Sequence, residues 1–140
     1  MQNEGAELGV KIKHIAITAK DTRKVADFYR DVLGLEEVGT HPLGVVFLSD
    51  GDFSVAIIPL KEAGDADVGP FEPHYAGLHH FGVRVDDVHD MAAHLDANGV
   101  KMLTDRGLLD TAGGAQQAEI KWEGPDGVVF DITQVGWPGT

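Results

Sequence analysis

The sequence predicts an α+β fold in which one βαβββ module occurs twice. Two observations support this prediction. Several short segments alternate between apolar and polar residues with the period of a β-strand, and each module has one amphipathic helix that begins after an aspartate. The order of elements then repeats after 65 or 66 residues, as three pairs of equivalent positions show: His14 and His80, Asp21 and Asp87, and Gly34 and Gly99.

The first module spans residues 10–60 and follows an N-terminal tail of residues 1–9. Its first strand is predicted at residues 11–19, where apolar and polar residues alternate. A helix is predicted at residues 22–33, because apolar residues recur there at helical spacing after an aspartate N-cap. Three more strands are predicted at residues 35–40, 45–48 and 53–58, the last two joined by the turn sequence SDGD.

The second module spans residues 78–136. A loop of residues 61–77, which contains prolines, small residues and acids without periodicity, separates it from the first. A strand is predicted at residues 78–85, and Asp87 then starts a helix that ends before an Asn-Gly pair. Further strands are predicted at residues 100–103, 118–122 and 128–135, with a glycine-rich loop at residues 111–114. The two modules together form one domain.

Composition excludes several classes of protein. A chain of 140 residues with 43% hydrophobic residues can bury one core. Cysteine is absent, so a disulfide framework and a thiolate nucleophile are excluded, and any metal must be held by His, Asp or Glu. The net charge of −12 disfavours nucleic acid and is compatible with a cationic ligand. Neither a signal peptide nor a membrane-spanning run is seen, so we expect a cytoplasmic protein without a membrane partner.

Three polar side chains are predicted to meet on the concave face of the sheet. In each module the helix covers the apolar face, so His14 and His80 point to the opposite face from equivalent strands. Asp131 takes the same face on the last strand, whereas Ala56 stands at the equivalent position of the first module. Two imidazoles and one carboxylate are typical of the site that leaves open positions on Fe(II) for substrate and oxygen. Without a metal, the same residues would form the polar floor of a pocket.

Four segments carry a resemblance to a known family: KHIAITAKD, FYRDVLGLE, LHHFGVRVDD and EGPDGVVFDIT. They resemble the vicinal oxygen chelate superfamily, which includes glyoxalases, bleomycin resistance proteins and extradiol dioxygenases, over residues 10–136. The resemblance implies a glyoxalase-like fold, in which the modules form a curved, eight-stranded, half-open barrel around one divalent metal. The ligand positions of the family fall on His14, His80 and Asp131. A homodimer is also implied, with the modules paired either within one chain or between chains.

The resemblance leaves three classes of function open. The family's fourth ligand position falls on Ala56, where glyoxalase-like and epimerase-like members carry Glu or Gln, while extradiol dioxygenases leave it empty. We therefore expect a metal-dependent enzyme most similar to a non-haem dioxygenase, with Fe(II) or Mn(II) and a small vicinal-oxygen substrate. The family's carboxylate is usually Glu, one methylene longer than Asp131. The alternatives are a lyase or isomerase using Zn or Ni, in which water or Glu119 takes the fourth position, and a metal-free binding protein.

Further side chains are predicted around the site. His74 and Tyr75 lie in the connecting loop, which would fold over the cavity mouth, and are the candidate catalytic residues. His79 is predicted to face the helix side as a packed residue. Arg84 suits an anionic substrate or a salt bridge to Glu119. The candidate substrate-binding residues, which together suggest a small and partly aromatic ligand, are Thr18, Phe47, Ser54, Ala56, Arg84, Glu119, Lys121 and Trp122.

Overall fold

The computed structural model describes residues 7–111 and 119–140. Within these residues the predicted order of elements is confirmed, with one added helix. The elements are β1 (Lys11–Ala19), α1 (Thr22–Asp31), β2 (Glu36–His41), β3 (Val45–Ser49), β4 (Ser54–Pro59), β5 (Gly77–Arg84), α2 (Val88–Ala97), β6 (Lys101–Met102), α3 (Arg106–Thr111), β7 (Ile120–Glu123) and β8 (Val129–Thr133). No helix of the described chain is long and apolar enough to cross a membrane.

The added helix, α3, lies in a stretch for which the sequence predicts no regular element. Asp105 caps its start, because the Asp105 Oδ1 atom accepts a hydrogen bond of 2.7 Å from the Gly107 backbone N–H. Leu109 then packs into the core of the second module. Parts of three predictions lie outside the described residues: residues 1–6 of the tail, residues 112–114 of the glycine-rich loop and residue 118 of a strand.

The eight described strands form a single open sheet in the order β2-β3-β4-β1-β5-β8-β7-β6. Within each module the first strand pairs in parallel with the last, β1 with β4 and β5 with β8. The antiparallel pair of β1 and β5 joins the two modules edge to edge. The modules are therefore paired within one chain, which the sequence left open, and the α+β glyoxalase-like fold is confirmed.

Two apolar cores lie between the helices and one face of the sheet. In the first core Ala26 of α1 packs with Leu48 and Ile57, and in the second Met91 of α2 packs with Val83, among others. The predicted faces are confirmed on the strands that carry the candidate ligands, because residues adjacent to those ligands point into the cores. The opposite face, which we call the cavity face, therefore receives the polar side chains.

A glycine stands at the centre of the cavity face. Gly82 on β5 lies between His14 on β1 and Asp131 on β8 in the strand register. A Cβ atom at Gly82 would lie 2.6 Å from the Trp137 ring and 2.9 Å from His14 Cδ2. The missing side chain allows the indole of Trp137 to lie directly on the sheet, where it stacks on His14 with ring centroids 4.4 Å apart.

Replacing this glycine tests the close packing. We expect Gly82→Ala to lower the free energy of unfolding by about 1–3 kcal/mol, because the new methyl group must displace the Trp137 ring. The measurement is urea denaturation followed by circular dichroism. Gly39→Ala is the matched control, since a Cβ atom at this strand glycine meets no atom closer than 3.8 Å. An equal loss of stability in both variants would contradict the packing argument.

Candidate metal centre and its cavity

The register of five strands brings the candidate ligands together. One row of paired residues crosses β4, β1, β5, β8 and β7, and it contains Ser54, His14, Gly82, Asp131 and Lys121. His80 lies on β5 two residues before Gly82. It pairs with Ala16 on β1, and Ala16 pairs with Ala56 on β4. Residues in register on neighbouring strands point to the same face, so these side chains converge on the cavity face.

The three candidate ligands form one compact, buried group. The Asp131 Oδ2 atom lies 3.0 Å from His80 Nε2 and 3.8 Å from His14 Nε2, and the ligand atoms all lie within 4.8 Å of one another. No more than 3% of any of the three side chains is exposed. Ligand atoms about 2.0–2.2 Å from one ion are separated from each other by roughly 3–3.5 Å. The spacing of the group is therefore close to that of a metal site.

The carboxylate of Asp131 has one satisfied and one unsatisfied oxygen. The Oδ1 atom accepts a hydrogen bond of 2.8 Å from the Lys121 ammonium. The Oδ2 atom, which faces the two imidazoles, is buried and has no hydrogen-bond partner among the described residues. A buried acceptor without a partner is costly, and coordination of a divalent cation would satisfy it. The donor set therefore fits a metal ion.

Each imidazole is held at its other nitrogen. The Nδ1 atom of His14 lies 3.3 Å from Ser54 Oγ, and the Nδ1 atom of His80 lies 2.8 Å from Nδ1 of His79. The Nε2 atoms of both ligands are left facing Asp131. Contacts of this kind orient metal-binding histidines in proteins.

The protonation states also suit a metal. Burial lowers the pKa of His14 to about 3, so this ring is neutral. Burial opposes ionisation of Asp131, but Lys121 and His80 together outweigh it and hold the pKa of this carboxyl below its usual range. Burial likewise opposes the charge on Lys121, but the attraction of Asp131 and Glu119 raises its pKa. Neutral imidazole and ionised carboxylate are the forms that coordinate metals.

Glu119 is the exception among the carboxyl groups of the site. Burial, and then the negative charge of Asp131, raises the pKa of Glu119 above its ordinary value. Its Oε1 atom accepts a hydrogen bond of 2.8 Å from the indole N–H of Trp137, and its Oε2 atom lies 3.7 Å from Lys121 Nζ. A carboxyl group with a raised pKa beside a cavity is suited to giving and taking protons.

A cavity of about 390 Å³ opens beside two of the three candidate ligands, His14 and His80. The first module supplies an apolar wall that includes Val45, Phe47 and Ile58, and the opposite wall carries Glu119 and Lys121. The remaining lining residues are His14, Ala16, His41, Leu43, Ala56, Pro59, Leu60, Lys61, Asp65 and His80. This arrangement fits a small ligand with an apolar body whose oxygen atoms face His14 and His80.

Several of the predicted substrate-binding residues lie at this cavity. Phe47, Ala56, Glu119 and Lys121 are among its lining residues, and Ser54 contacts the His14 ring. Their roles in binding substrate remain predictions.

Three other predicted substrate-binding residues lie elsewhere. Thr18 donates a hydrogen bond of 2.7 Å to the Tyr75 carbonyl and lines a separate groove beside α1. Arg84 is exposed and donates to the Gln134 carbonyl. Trp122 is fully buried in the core of the second module, because it alternates with Lys121 along β7 and so points to the helix face.

The two loop residues proposed for catalysis are also outside the cavity lining. The His74 side chain is 62% exposed, and its Nε2 atom lies 2.6 Å from Glu62 Oε2. The Tyr75 ring stacks on Phe71 with centroids 4.0 Å apart. Their catalytic roles remain predictions, because neither side chain is among the lining residues of the cavity.

Sequence reasoning missed Trp137, which touches both His14 and Glu119. Trp137 follows the last strand in a short segment without periodicity, so its own position carries no signal. An isolated glycine inside a strand indicates the close approach of another group, and Gly82 in the segment LHHFGVRV was that signal.

Comparisons with known proteins agree with this architecture. Residues 11–132 match the family model described as the Glyoxalase/Bleomycin resistance protein/Dioxygenase superfamily. The mitochondrial methylmalonyl-CoA epimerase of Mus musculus is 25% identical over 109 residues, which is 74% of this chain and 61% of the epimerase. The human enzyme is 25% identical over 103 residues, which is 68% of this chain and 57% of that protein. The chain thus spans about three-fifths of the length of these relatives.

Solved structures show the same fold. A variant of Streptomyces coelicolor methylmalonyl-CoA epimerase, in complex with 2-nitronate-propionyl-CoA, is 25% identical with a TM-score of 0.64, and the match covers 87% of this chain and 94% of that one. The 2,3-dioxygenase LapB from Pseudomonas is 20% identical with a TM-score of 0.63, over 92% of this chain and 42% of that one. The likeness to the dioxygenase concerns the fold alone.

Because all three candidate ligands belong to one chain, two defective variants should not repair each other. We expect His14→Ala and Asp131→Ala chains, unfolded together and refolded as a mixture, to bind no more metal than either variant alone. Elemental analysis after desalting provides the measurement, with refolded wild-type protein as the positive control. Recovery of metal in the mixture would mean that modules are exchanged between chains, so that mixed dimers contain one complete site.

Proposed function

The chain belongs to the glyoxalase/bleomycin resistance protein/dioxygenase superfamily, and from this premise we propose that it is a metal-dependent enzyme acting on a small substrate with two neighbouring oxygen atoms. The observation that carries the proposal is the unsatisfied Oδ2 atom of Asp131, buried between the Nε2 atoms of His14 and His80. A divalent metal held by these residues would supply Lewis acidity and open coordination positions.

The surrounding residues have distinct tasks in this proposal. Lys121 occupies the Oδ1 atom of Asp131 and thereby leaves Oδ2 as the single free donor of that carboxylate. The apolar wall with Phe47 and Ile58 holds the carbon skeleton of the substrate and excludes water. Glu119 is placed to exchange a proton with the bound substrate, because its raised pKa brings it closer to neutral pH.

Ala56 favours dioxygenation, with Fe(II) or Mn(II), as the reaction. Its methyl group lines the cavity on β4, where this superfamily places a fourth ligand in its glyoxalase-like members. Three protein ligands leave room for both oxygens of a substrate and for molecular oxygen, as in other sites with two histidines and one carboxylate. The aromatic side chain of Phe47 suits a catechol-like ring on the opposite wall.

Proton transfer at a carbon atom is the second candidate, and two observations favour it. Glu119 is a half-buried acid with a raised pKa beside the cavity, and the relatives that match 74% and 68% of this chain are epimerases. Glu119 would remove a proton from the carbon next to a carbonyl group and return it, while the nearby Lys121 stabilises the carboxylate form of Glu119. Zn or Ni would suit this isomerase or lyase reaction.

A homodimer and a cytoplasmic location belong to the same proposal. The resemblance to the superfamily supports the dimer, and the sequence pattern supports the location. Light scattering of the purified chain would test the dimer.

Metal content is the first test of the proposed function. Protein purified without oxygen is expected to hold about one equivalent of Fe or Mn per chain, and His14→Ala to hold none, because a ligand is removed. The matched control is His89→Ala, which removes an exposed imidazole outside the cavity. One equivalent of Zn or Ni would favour the isomerase or lyase. Absence of metal after reconstitution would overturn the proposal and favour a metal-free binding protein for a cationic ligand.

The two candidate reactions can be distinguished by measuring oxygen uptake and proton exchange. Oxygen uptake with catechol-like compounds is expected for dioxygenation, and exchange of a substrate proton in D₂O is expected for the isomerase, with methylmalonyl-CoA among the compounds tried. If exchange is observed, Glu119→Gln should lower its rate by about 10²–10⁴-fold, because the amide cannot take a proton. Glu123→Gln, at the end of the strand that follows Glu119 and outside the cavity lining, should leave the rate unchanged. An unaffected rate in Glu119→Gln would remove Glu119 from the reaction.

A further inference from the structure

His79 is buried beside the candidate ligand His80 and has a polar contact at each ring nitrogen. Its Nε2 atom lies 2.9 Å from the Val68 carbonyl oxygen, in the loop that connects the two modules. Its Nδ1 atom lies 2.8 Å from Nδ1 of His80, and the two rings meet edge to face. Only 5% of the residue is exposed, so water does not compete for these contacts. His79 is therefore more than the packed residue that its strand position suggests.

The position of the hydrogen atoms follows from these partners. A carbonyl oxygen only accepts, so the Nε2 atom of His79 must carry the hydrogen and donate it to Val68. In a neutral His79 ring the Nδ1 atom is then an acceptor. A hydrogen on Nδ1 of His80 fills this contact and leaves the Nε2 atom of a neutral His80 ring without one. Asp131 Oδ2, which lies 3.0 Å from His80 Nε2, also only accepts, so His79 and Asp131 compete for the single hydrogen of His80, and a cation bound between Nε2 and Oδ2 favours His79.

We propose that His79 is a positioning residue that selects the tautomer of His80 in which Nδ1 is protonated and Nε2 offers its lone pair to a metal. In the other tautomer the Nε2 hydrogen would point at Asp131 and the lone pair would be lost to the site. Because the Val68 carbonyl oxygen only accepts, it determines which nitrogen of His79 carries the hydrogen. The connecting loop, which contains Val68, therefore influences the metal centre through His79. The inference deepens the proposed function and, in its metal-binding part, rests on it.

The first measurement needs no metal. Long-range ¹H–¹⁵N spectra of the metal-free protein distinguish protonated from bare imidazole nitrogens. We expect His79 to show a protonated Nε2, and the fraction of His80 rings with a protonated Nδ1 to be larger in the wild-type protein than in His79→Leu. Equal fractions in the two proteins would overturn the inference.

The second measurement uses two substitutions of similar shape. His79→Asn keeps an acceptor close to the position of Nδ1, whereas His79→Leu removes it. Titration with Co(II), followed by visible absorption, is expected to show affinity about 10–100-fold weaker in His79→Leu and closer to the wild-type value in His79→Asn. Thermal unfolding of the metal-free variants shows whether both have folded. If His79 served only to pack against its neighbours, His79→Leu would keep the Co(II) affinity better than His79→Asn, which is the opposite of the expected result.

The outcomes separate the two proposals. Equal Co(II) affinity in both variants would overturn the role of His79 and leave the metal-dependent function standing. A wild-type chain that binds no Co(II) would overturn the metal-dependent function, and the nitrogen spectra would still decide which tautomer His79 imposes.

Discussion

The site depends on the antiparallel pairing of β1 with β5. This pairing is the only one that joins the two modules across the described sheet, and it sets the register in which His14, Gly82 and Asp131 lie side by side. A shift of one residue would turn His14 into the core and bring an isoleucine or a lysine to the cavity face. The same pairing that completes the sheet therefore determines whether two histidines from different modules can meet one carboxylate.

The electrostatics of the site follow from this close approach. A fully buried aspartate lies beside two imidazoles, and its charge is balanced by the ammonium of Lys121 on the neighbouring strand. Burial of such a pair is favourable only when its hydrogen bonds are nearly complete, and one oxygen of Asp131 is left without a partner. The chain thus keeps an unsatisfied buried atom at the centre of its sheet, which is characteristic of functional sites in otherwise well-packed folds.

The residues that surround the candidate ligands make defined contacts with the ligand rings. Ser54 contacts the far nitrogen of His14, Trp137 stacks on the same ring, and His79 contacts the far nitrogen of His80. Trp137 also donates a hydrogen bond to Glu119, so one residue of the C-terminal segment links a ligand to the candidate acid. Pieces of chain that lie far apart in sequence therefore meet around a single carboxylate.

The sequence by itself determined the module repeat, the element order and the faces of the strands that carry the candidate ligands, and it predicted which residues those ligands are. It could do so because alternation, helix caps and the spacing of 65 or 66 residues are local or periodic signals. The meeting of His14 and His80 could be predicted for the same reason, because equivalent strands of the two modules present equivalent faces. The helix at Arg106–Thr111 was missed, since six residues carry too little periodicity to be recognised.

The tertiary structure alone decided which neighbours each side chain meets. It showed that the modules pair within one chain, that Trp122 belongs to the core, and that His74 and Tyr75 do not line the cavity. It also placed Trp137 against Gly82 and gave His79 a partner on a loop 11 residues away. These contacts join irregular segments to strands, and no periodic pattern in a sequence encodes where an irregular segment folds back onto a sheet.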